Sequence, residues 1–234
     1  MKRLIKKLIY KEKASSQDYI NYLRKKGVIV GEGTVIFDPV STLIDATRPF
    51  LVKIGKNVQI TRGVTILTHG YDWSVLKGKY GNVLGSAGEV EIGDNVFIGM
   101  QTTILKGVKV GCDVIIGANS LVNKNLESGY VYAGNPAKKI CSIEDYYSKR
   151  VSEQESEAKL IYKKHVERFG KEPPIETFSE FFWLFWEREK PLPKGFEKMM
   201  KLLGEESFAL SMKVFKKSPP KYNGFDEFIK EMKK

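Results

Sequence analysis

Residues 92–127, IGDNVFIGMQTTILKGVKVGCDVIIGANSLVNKNLE, repeat a six-residue pattern that decides the fold. An aliphatic residue returns at every sixth position, at Ile92, Ile98, Ile104, Val110, Ile116 and Val122. This period fits neither the 3.6-residue turn of an α-helix nor the two-residue alternation of a simple strand. It predicts a mainly β fold, a coiled backbone of triangular cross-section in which each side is a short strand followed by a turn.

The same step of six residues appears earlier, at Ile54, Ile60 and Ile66. We expect these aliphatic side chains to stack inside the coil. The fourth residue after each aliphatic residue is nearly always small or β-branched, as in Val58 and Val96, and we expect it to fill the tightening corner. A glycine often follows the aliphatic residue, and we expect it to relieve the turn.

Composition divides the chain into an N-terminal helical segment, the repeat domain and a helical C-terminal extension. These segments are residues 1–27, 28–140 and 141–234. The first coil is expected to be interrupted around residues 38–53. The step from Ile66 to Ile92 exceeds six residues by 20, so residues 72–91 are predicted to form an inserted loop. Such insertions project from one face of a solenoid, often the binding face.

The bulk properties of the 234-residue chain indicate a soluble protein. No apolar run is long enough to span a bilayer, and neither a signal peptide nor a metal or redox spacing of cysteines is evident, so we expect a cytoplasmic location. The net charge of +11 indicates anionic partners. No nucleic-acid-binding motif accompanies this charge, so we expect no nucleic acid partner.

The N-terminal segment contains nine Lys or Arg residues and two acidic residues. Leu4, Ile5, Leu8 and Ile9 form an apolar stripe, and Gly27 is well placed to end a second helix that begins near Ser16. For the first helix, rich in Lys, Leu and Ile, we favour docking on the protein. The alternative is a peripheral contact with a membrane surface.

His69 lies directly before the predicted insertion and is one of two histidines in the chain. Histidine suits proton abstraction from a hydroxyl near neutral pH, so His69 is the candidate general base. The alternative is a corner histidine without function. The other histidine, His165, is expected on a solvated helix and outside any site.

Three motifs together resemble the hexapeptide-repeat acyltransferases. They are Thr68-His69 before a loop, IGANSLV at 116–122 and AGNPAKKI at 133–140. This family includes the galactoside, maltose and polysaccharide O-acetyltransferases, and the resemblance covers about residues 28–140. It implies a left-handed parallel β-helix, an exception to the usual right-handed crossover. It also implies a homotrimer with acetyl-CoA as co-substrate in clefts between subunits, and no metal.

The resemblance assigns a role to particular residues. His69 corresponds to the catalytic base. The positions that correspond to the coenzyme groove are Met100 near the thioester, Ala118 along the pantetheine arm, Asn123 and Lys124 near the end of the coenzyme, and Lys138 near the nucleotide phosphates. A backbone N–H near Gly99 and Met100 is the candidate donor for the oxyanion. Transfer is expected to be direct, because neither cysteine lies near His69 in sequence.

The acceptor side leaves alternatives open. Polysaccharide-type relatives often have an acid after the histidine, whereas this chain has Gly70, with Asp72 two positions further on. Asp72 either orients the base or caps the loop. Trp73 either stacks on a pyranose face or anchors the loop. Asp45 and Arg48 resemble a segment near the acceptor site, and the alternative is a mutual salt bridge.

The aromatic stretch at 178–186, FSEFFWLFW, is too apolar to be left in water. We expect it to pack on the β-helix or on a neighbouring subunit rather than to serve as a glycan platform.

The sequence therefore predicts an acyl-CoA-dependent O-acetyltransferase that acts on a sugar or glycan hydroxyl. N-acetylation of an amino sugar is the main alternative, since the same base serves an amine. A second alternative is a γ-type carbonic anhydrase, which shares the β-helix. That enzyme needs three histidines on its metal, and the two histidines of this chain argue against it. A non-catalytic β-helix scaffold would need neither His69 nor the insertion.

Overall fold

A computed structural model describes the backbone of residues 2–234 and the side chains of residues 6–234. Leu4 and Ile5, which form half of the predicted N-terminal apolar stripe, therefore have side chains outside the described residues. The chain divides into two compact units, Met1–Tyr146 and Tyr147–Lys234. None of the described helices is long and apolar enough to cross a membrane.

The first unit contains short strands. In chain order they are β1 Ile29–Val30, β2 Val35–Ile36, β3 Leu43–Ile44, β4 Val52–Ile54, β5 Gln59–Ile60, β6 Thr65–Ile66, β7 Val90–Ile92, β8 Val96–Ile98, β9 Thr103–Ile104, β10 Lys109–Val110, β11 Val114–Ile116, β12 Leu121–Val122, β13 Tyr130–Ala133 and β14 Lys138–Ser142.

These strands form three sheets, which we number by their first strand. Sheet 1 has the order β1-β4-β7-β10, and sheet 3 has the order β3-β6-β9-β12. Sheet 2 joins β2, β5, β8, β11 and β13 in parallel, and β14 pairs antiparallel with β13 at its edge. Consecutive strands up to β12 belong to successive sheets, so each coil contributes one strand to each side. The three-sided parallel coil predicted from the six-residue period is confirmed.

The first coil is more regular than the sequence predicts. It was expected to be interrupted around residues 38–53, yet β3 lies within this range and pairs in register with β6. The irregular part is limited to the connection to β4, which contains a single 3₁₀ turn at Pro49–Leu51. The sequence of this coil follows the six-residue pattern less closely than later coils do. The coil still forms because β1, β2 and β3 each pair with a strand of the following coil.

The interior is built from aligned aliphatic columns. Parallel register places Ile36, Ile60, Ile98 and Ile116 beside one another in sheet 2. Each is at most 1% exposed. Burial of such a side chain stabilises the fold by about 1.5–3 kcal/mol. The corner positions, represented by Val58, are also buried.

The glycines that follow the aliphatic residues have a role other than the one expected. A Cβ on Gly93 would lie 2.7 Å from the carbonyl carbon of Gly111, and one on Gly99 would lie 2.5 Å from the nitrogen of Ala118. These glycines therefore permit neighbouring coils to approach. Several turns instead use Asn or Asp in the left-handed region, as at Asn95 with φ of 55°.

The helices described are α1 Lys2–Tyr10, α2 Ser16–Lys26, α3 Trp73–Tyr80, α4 Ile143–Phe169, α5 Lys194–Met200, α6 Glu205–Lys217 and α7 Phe225–Met232. Ser15 caps α2 by accepting a hydrogen bond from the Asp18 N–H, and Gly27 ends the helix with φ of 107°. The predicted end at Gly27 is confirmed. Tyr19, Ile20 and Leu23 join the buried core of the coil, so α2 covers part of that core in the first unit.

The second unit has an aromatic core of its own. Phe178, Phe182 and Phe185 are at most 2% exposed. They belong to one cluster with Phe196 and Phe228. The expectation that the 178–186 stretch packs on the β-helix or a neighbouring subunit is therefore wrong for these phenylalanines, because α5 and α7 bury them within the C-terminal unit.

Candidate active site

His69 lies where sheet 3 ends and an inserted loop begins. It follows β6 by three residues, and its main chain forms an antiparallel bridge with Ala87. The Gly70 N–H donates to the Ser86 carbonyl, and the Gly88 N–H donates to the Thr68 carbonyl. Backbone hydrogen bonds therefore join the two ends of the inserted loop, and they fix the position of His69.

The partner of His69 is Asp45. The Nδ1 of His69 lies 2.6 Å from Oδ2 of Asp45, and the side chains are 15% and 4% exposed. Asp45 follows β3, the strand that pairs with β6, and its N–H donates to the Ile66 carbonyl. The pair thus forms because two coils stack, although the two residues are 24 positions apart.

Two threonines hold the Asp45 carboxylate. The Thr47 N–H and hydroxyl donate to Oδ1 at 3.0 and 2.6 Å. The Thr68 N–H donates to Oδ2 at 3.1 Å, and the Thr68 hydroxyl donates to the same oxygen. Burial alone would raise the pKa of Asp45, but these four hydrogen bonds outweigh it and hold the pKa below its ordinary value of 3.8.

The ionised carboxylate determines which nitrogen of His69 acts as a base. An oxygen that accepts a hydrogen bond from Nδ1 favours the tautomer with the proton on Nδ1. Nε2 then has a free lone pair and can accept a proton. This is the geometry required of a general base whose orientation is fixed by a carboxylate.

The position of Asp45 changes two predictions. The acid that contacts His69 is Asp45 rather than Asp72, which immediately precedes α3 and whose carbonyl accepts a hydrogen bond from the Val75 N–H. Among the described residues, no ion pair joins Asp45 to Arg48, and Arg48 is exposed. The predicted substrate contact for Asp45 competes with five hydrogen bonds from protein atoms.

An aromatic pair lies beside the histidine. The Tyr71 ring packs edge-on against His69 with centroids 5.1 Å apart, and Tyr71 is 68% exposed. The Trp73 ring lies next to Tyr71, with centroids 6.2 Å apart. Of the two aromatic rings, Tyr71 is therefore the one in contact with the candidate base, whereas the sequence directed attention to Trp73.

Met100 and Ala118 lie at a different corner, where sheet 2 ends. Each is the second residue after its strand, β8 or β11, and the Asn119 N–H donates to the Met100 carbonyl at 2.7 Å. Both side chains are exposed. The Gly99 N–H already donates to the Ile116 carbonyl. The candidate donor for the oxyanion is therefore the N–H of Met100 rather than the N–H of Gly99.

The three remaining predicted coenzyme residues divide between these two corners. Asn123 and Lys124 follow β12 in sheet 3, and are thus at the same corner as His69 but two coils away. Strand spacing of about 4.8 Å places them roughly 10 Å along the axis. Lys138 begins β14, which pairs with β13 at the edge of sheet 2. It is therefore on the side of Met100 and Ala118.

Sequence reasoning missed the contributions of Thr47, Thr68 and Tyr71. A hydroxyl residue two positions after an aspartate is a common partner of its carboxylate, so the contact between Thr47 and Asp45 could have been predicted from the sequence. Thr68 was noted only as the neighbour of His69. Its contact with Asp45 depends on the register between β3 and β6, which a single sequence does not specify.

Residues 89–124 match the family model described as bacterial transferase hexapeptide (six repeats). The chain is 38% identical over 162 residues to Protein CapG of Staphylococcus aureus, covering 69% of this chain and 90% of CapG. It is 35% identical over 127 residues to the putative acetyltransferase YvoF of Bacillus subtilis, covering 54% and 66% of the two chains.

The galactoside O-acetyltransferase of Escherichia coli is 35% identical over 112 residues, which cover 46% of this chain and 53% of that protein. The similarity thus extends to one named and one putative acetyltransferase and covers 90% of Protein CapG. The chain belongs to the hexapeptide-repeat transferase family, and it is an acetyl-transferring enzyme.

Proposed function

We propose that the protein is an acetyl-CoA-dependent O-acetyltransferase that acts on a hydroxyl of a sugar or glycan. The observation that supports this most strongly is the His69–Asp45 pair, in which a buried, ionised carboxylate lies 2.6 Å from Nδ1. A hydroxyl is a weak nucleophile, so its acetylation needs a base with a free lone pair. The named substrate of the Escherichia coli relative is also a sugar.

In the proposed mechanism, Nε2 of His69 accepts the hydroxyl proton as the hydroxyl oxygen bonds to the acetyl carbon. Asp45 stabilises the resulting imidazolium without itself taking the proton. The Met100 N–H is the donor available to the oxyanion. The carbon–sulfur bond then breaks, and His69 returns the proton to the departing sulfur. Acetyl-CoA supplies the activated acetyl group, and no acyl-enzyme is formed.

Residues at the end of sheet 2 fit an extended thioester substrate. Ala118 has a small exposed side chain beside the exposed Met100, so the corner provides accessible backbone. Lys138 on this side and Lys124 at the other corner are exposed cations suited to phosphate groups. Asn123 precedes Lys124 and belongs to the same proposed groove.

The predicted site residues of one chain lie at two different corners of the coil, and this supports a site shared between subunits. His69 and Asp45 lie at the end of sheet 3, whereas Met100, Ala118 and Lys138 lie at the end or edge of sheet 2. We infer a cyclic homotrimer with the left-handed winding of the family, in which each cleft combines the two corners from neighbouring chains. Each chain then contributes to two clefts.

The function is tested by incubating the protein with acetyl-CoA and a panel of methyl glycosides and their 2-amino counterparts. Mass spectrometry of the products and release of free thiol are measured together. Acetyl esters are the expected product. Acetamides alone would support N-acetylation of an amino sugar instead, and thiol release without an acetylated sugar would contradict sugar acetylation.

Tyr71 is the proposed acceptor platform, because its exposed ring lies beside His69 and can pack against the C–H face of a pyranose. Changing Tyr71→Ser should raise KM for the best methyl glycoside of the panel by about tenfold. This corresponds to the loss of roughly 1.4 kcal/mol of stacking between the ring and the sugar. KM for acetyl-CoA should stay unchanged. Tyr80→Ser, on an exposed tyrosine of the same loop, is the control. Equal effects of the two substitutions would remove Tyr71 from the acceptor site.

A further inference from the structure

We propose that residues 1–27 hold the protein on an anionic membrane surface. We call these residues the basic segment. They comprise α1, α2 and the turn between them. The membrane contact does not require the acetyl-transfer reaction, because the charge and the exposed side chains that would form it lie at a place distant in sequence from His69.

The excess positive charge of the first unit lies entirely in the basic segment. Residues 1–27 have nine Lys or Arg and two acidic residues, a difference of +7. Residues 28–146 have eleven Lys or Arg and eleven acidic residues, so their net charge is zero. A charge concentrated in this way attracts an anionic surface and loses that attraction as salt increases.

The two helices of the basic segment differ in how their apolar residues are covered. Tyr19, Ile20 and Leu23 of α2 are at most 4% exposed. In contrast, Leu8 and Ile9 of α1 are 86% and 63% exposed. The docking predicted for the N-terminal Lys/Leu/Ile helix is therefore wrong for Leu8 and Ile9 of α1, and the helix whose apolar side chains are docked is α2. Uncovered aliphatic groups on a cationic helix need a partner that is both apolar and anionic.

A lipid surface satisfies both requirements. The α1 sequence KRLIKKLIY has four Lys or Arg and no acidic residue. Short basic amphipathic helices insert apolar side chains at the headgroup boundary while their cations meet anionic lipids. A second copy of this chain is a poorer match, because residues 28–146 have no net negative charge to offer. The charges therefore favour lipid over self-association through α1.

The experiment is sedimentation of the full-length protein with vesicles. Phosphatidylcholine vesicles are compared with vesicles that contain roughly one-third phosphatidylglycerol, at low salt and at about 0.5 M NaCl. We expect binding to the anionic vesicles that is at least about tenfold stronger than to phosphatidylcholine and that weakens at high salt. Equal binding to both vesicle types, or none to either, would overturn the proposal.

The apolar contribution is tested with Leu8→Ser/Ile9→Ser. These side chains are exposed, so folding should be unaffected, and vesicle affinity should fall by about tenfold or more. The matched control is Leu210→Ser/Val214→Ser, two exposed aliphatics on α6. If both double variants bind as the unaltered protein does, α1 is not the anchor. A change in the solution mass of Leu8→Ser/Ile9→Ser by light scattering would instead assign α1 to contact between copies and would also refute the lipid assignment.

Discussion

His69→Ala is expected to lower kcat by about 10²–10⁴-fold, the usual contribution of a general base. The reason is that Nε2 of His69 is proposed to take the hydroxyl proton, and alanine offers no replacement. Affinity for acetyl-CoA should be retained, because Met100 and Ala118, the positions proposed for the thioester and the pantetheine arm, lie at the end of sheet 2. Steady-state kinetics on the best sugar of the acceptor panel, with calorimetric titration of acetyl-CoA, measure both quantities.

The fold should tolerate this substitution. Asp45 keeps its four hydrogen bonds from Thr47 and Thr68 when the imidazole is removed. The matched control is His165→Ala, which changes the other histidine, on α4 of the C-terminal unit. This control should retain the kcat of the unaltered enzyme. Near-normal kcat in His69→Ala would remove His69 from the mechanism.

Asp45→Asn should also lower kcat by about 10²–10⁴-fold. An asparagine has no charge to stabilise the imidazolium, and its amide can donate to Nδ1, which would place the proton on Nε2. A loss of stability of about 1–3 kcal/mol is expected as well. The NH2 group of asparagine donates hydrogen bonds, whereas the carboxylate oxygen that it replaces accepts them from buried donors. Thermal unfolding therefore accompanies the kinetic measurement, so that the loss of kcat is read on folded protein.

The pH dependence follows from the direction of the Asp45 shift. Hydrogen bonds hold the folded-state pKa of Asp45 below its ordinary value of 3.8. Its contribution to stability is therefore fully present above that value and is lost only as the pH falls through the lower folded-state pKa. Asp45 therefore stays ionised between pH 5 and about 7, and a decline in kcat/KM measured across that range would not come from its protonation.

Asp72→Asn is the control for Asp45→Asn, because Asp72 is the acid that sequence proximity suggests. We expect it to leave kcat within about twofold of the unaltered enzyme, as is usual for a surface change away from the chemistry. If Asp72→Asn lost more activity than Asp45→Asn, the orienting role assigned to Asp45 would be wrong.

The local pattern of the chain predicted much of the fold because six-residue periodicity specifies both the strands and their buried face. Ile60, Ile98 and Ile116 were identified as interior residues from spacing alone. The inserted loop after His69 was likewise evident from a break in the period. These features depend on residues close together in sequence, or on a repeat that makes distant residues equivalent.

The contacts that define the site were harder to predict. Asp45 contacts His69 because β3 and β6 stack in register, and a single sequence gives no direct measure of that contact. The nearest acid, Asp72, was therefore considered first. The aromatic core of the C-terminal unit was missed for a related reason, since α5 and α7, which cover Phe182 and Phe185, follow in sequence and have no repeat to reveal their partners.

Mixing two inactive variants shows whether neighbouring subunits share one site. One is His69→Ala, and the other is Ala118→Trp, where a bulky ring on an exposed position obstructs the proposed groove. After subunit exchange at equal amounts, about one quarter of the clefts should combine an intact His69 with an intact groove, which predicts about one quarter of full activity. If mass measurements show mixed trimers but activity stays at the level of the parents, the site lies within one chain and neighbouring subunits do not share it.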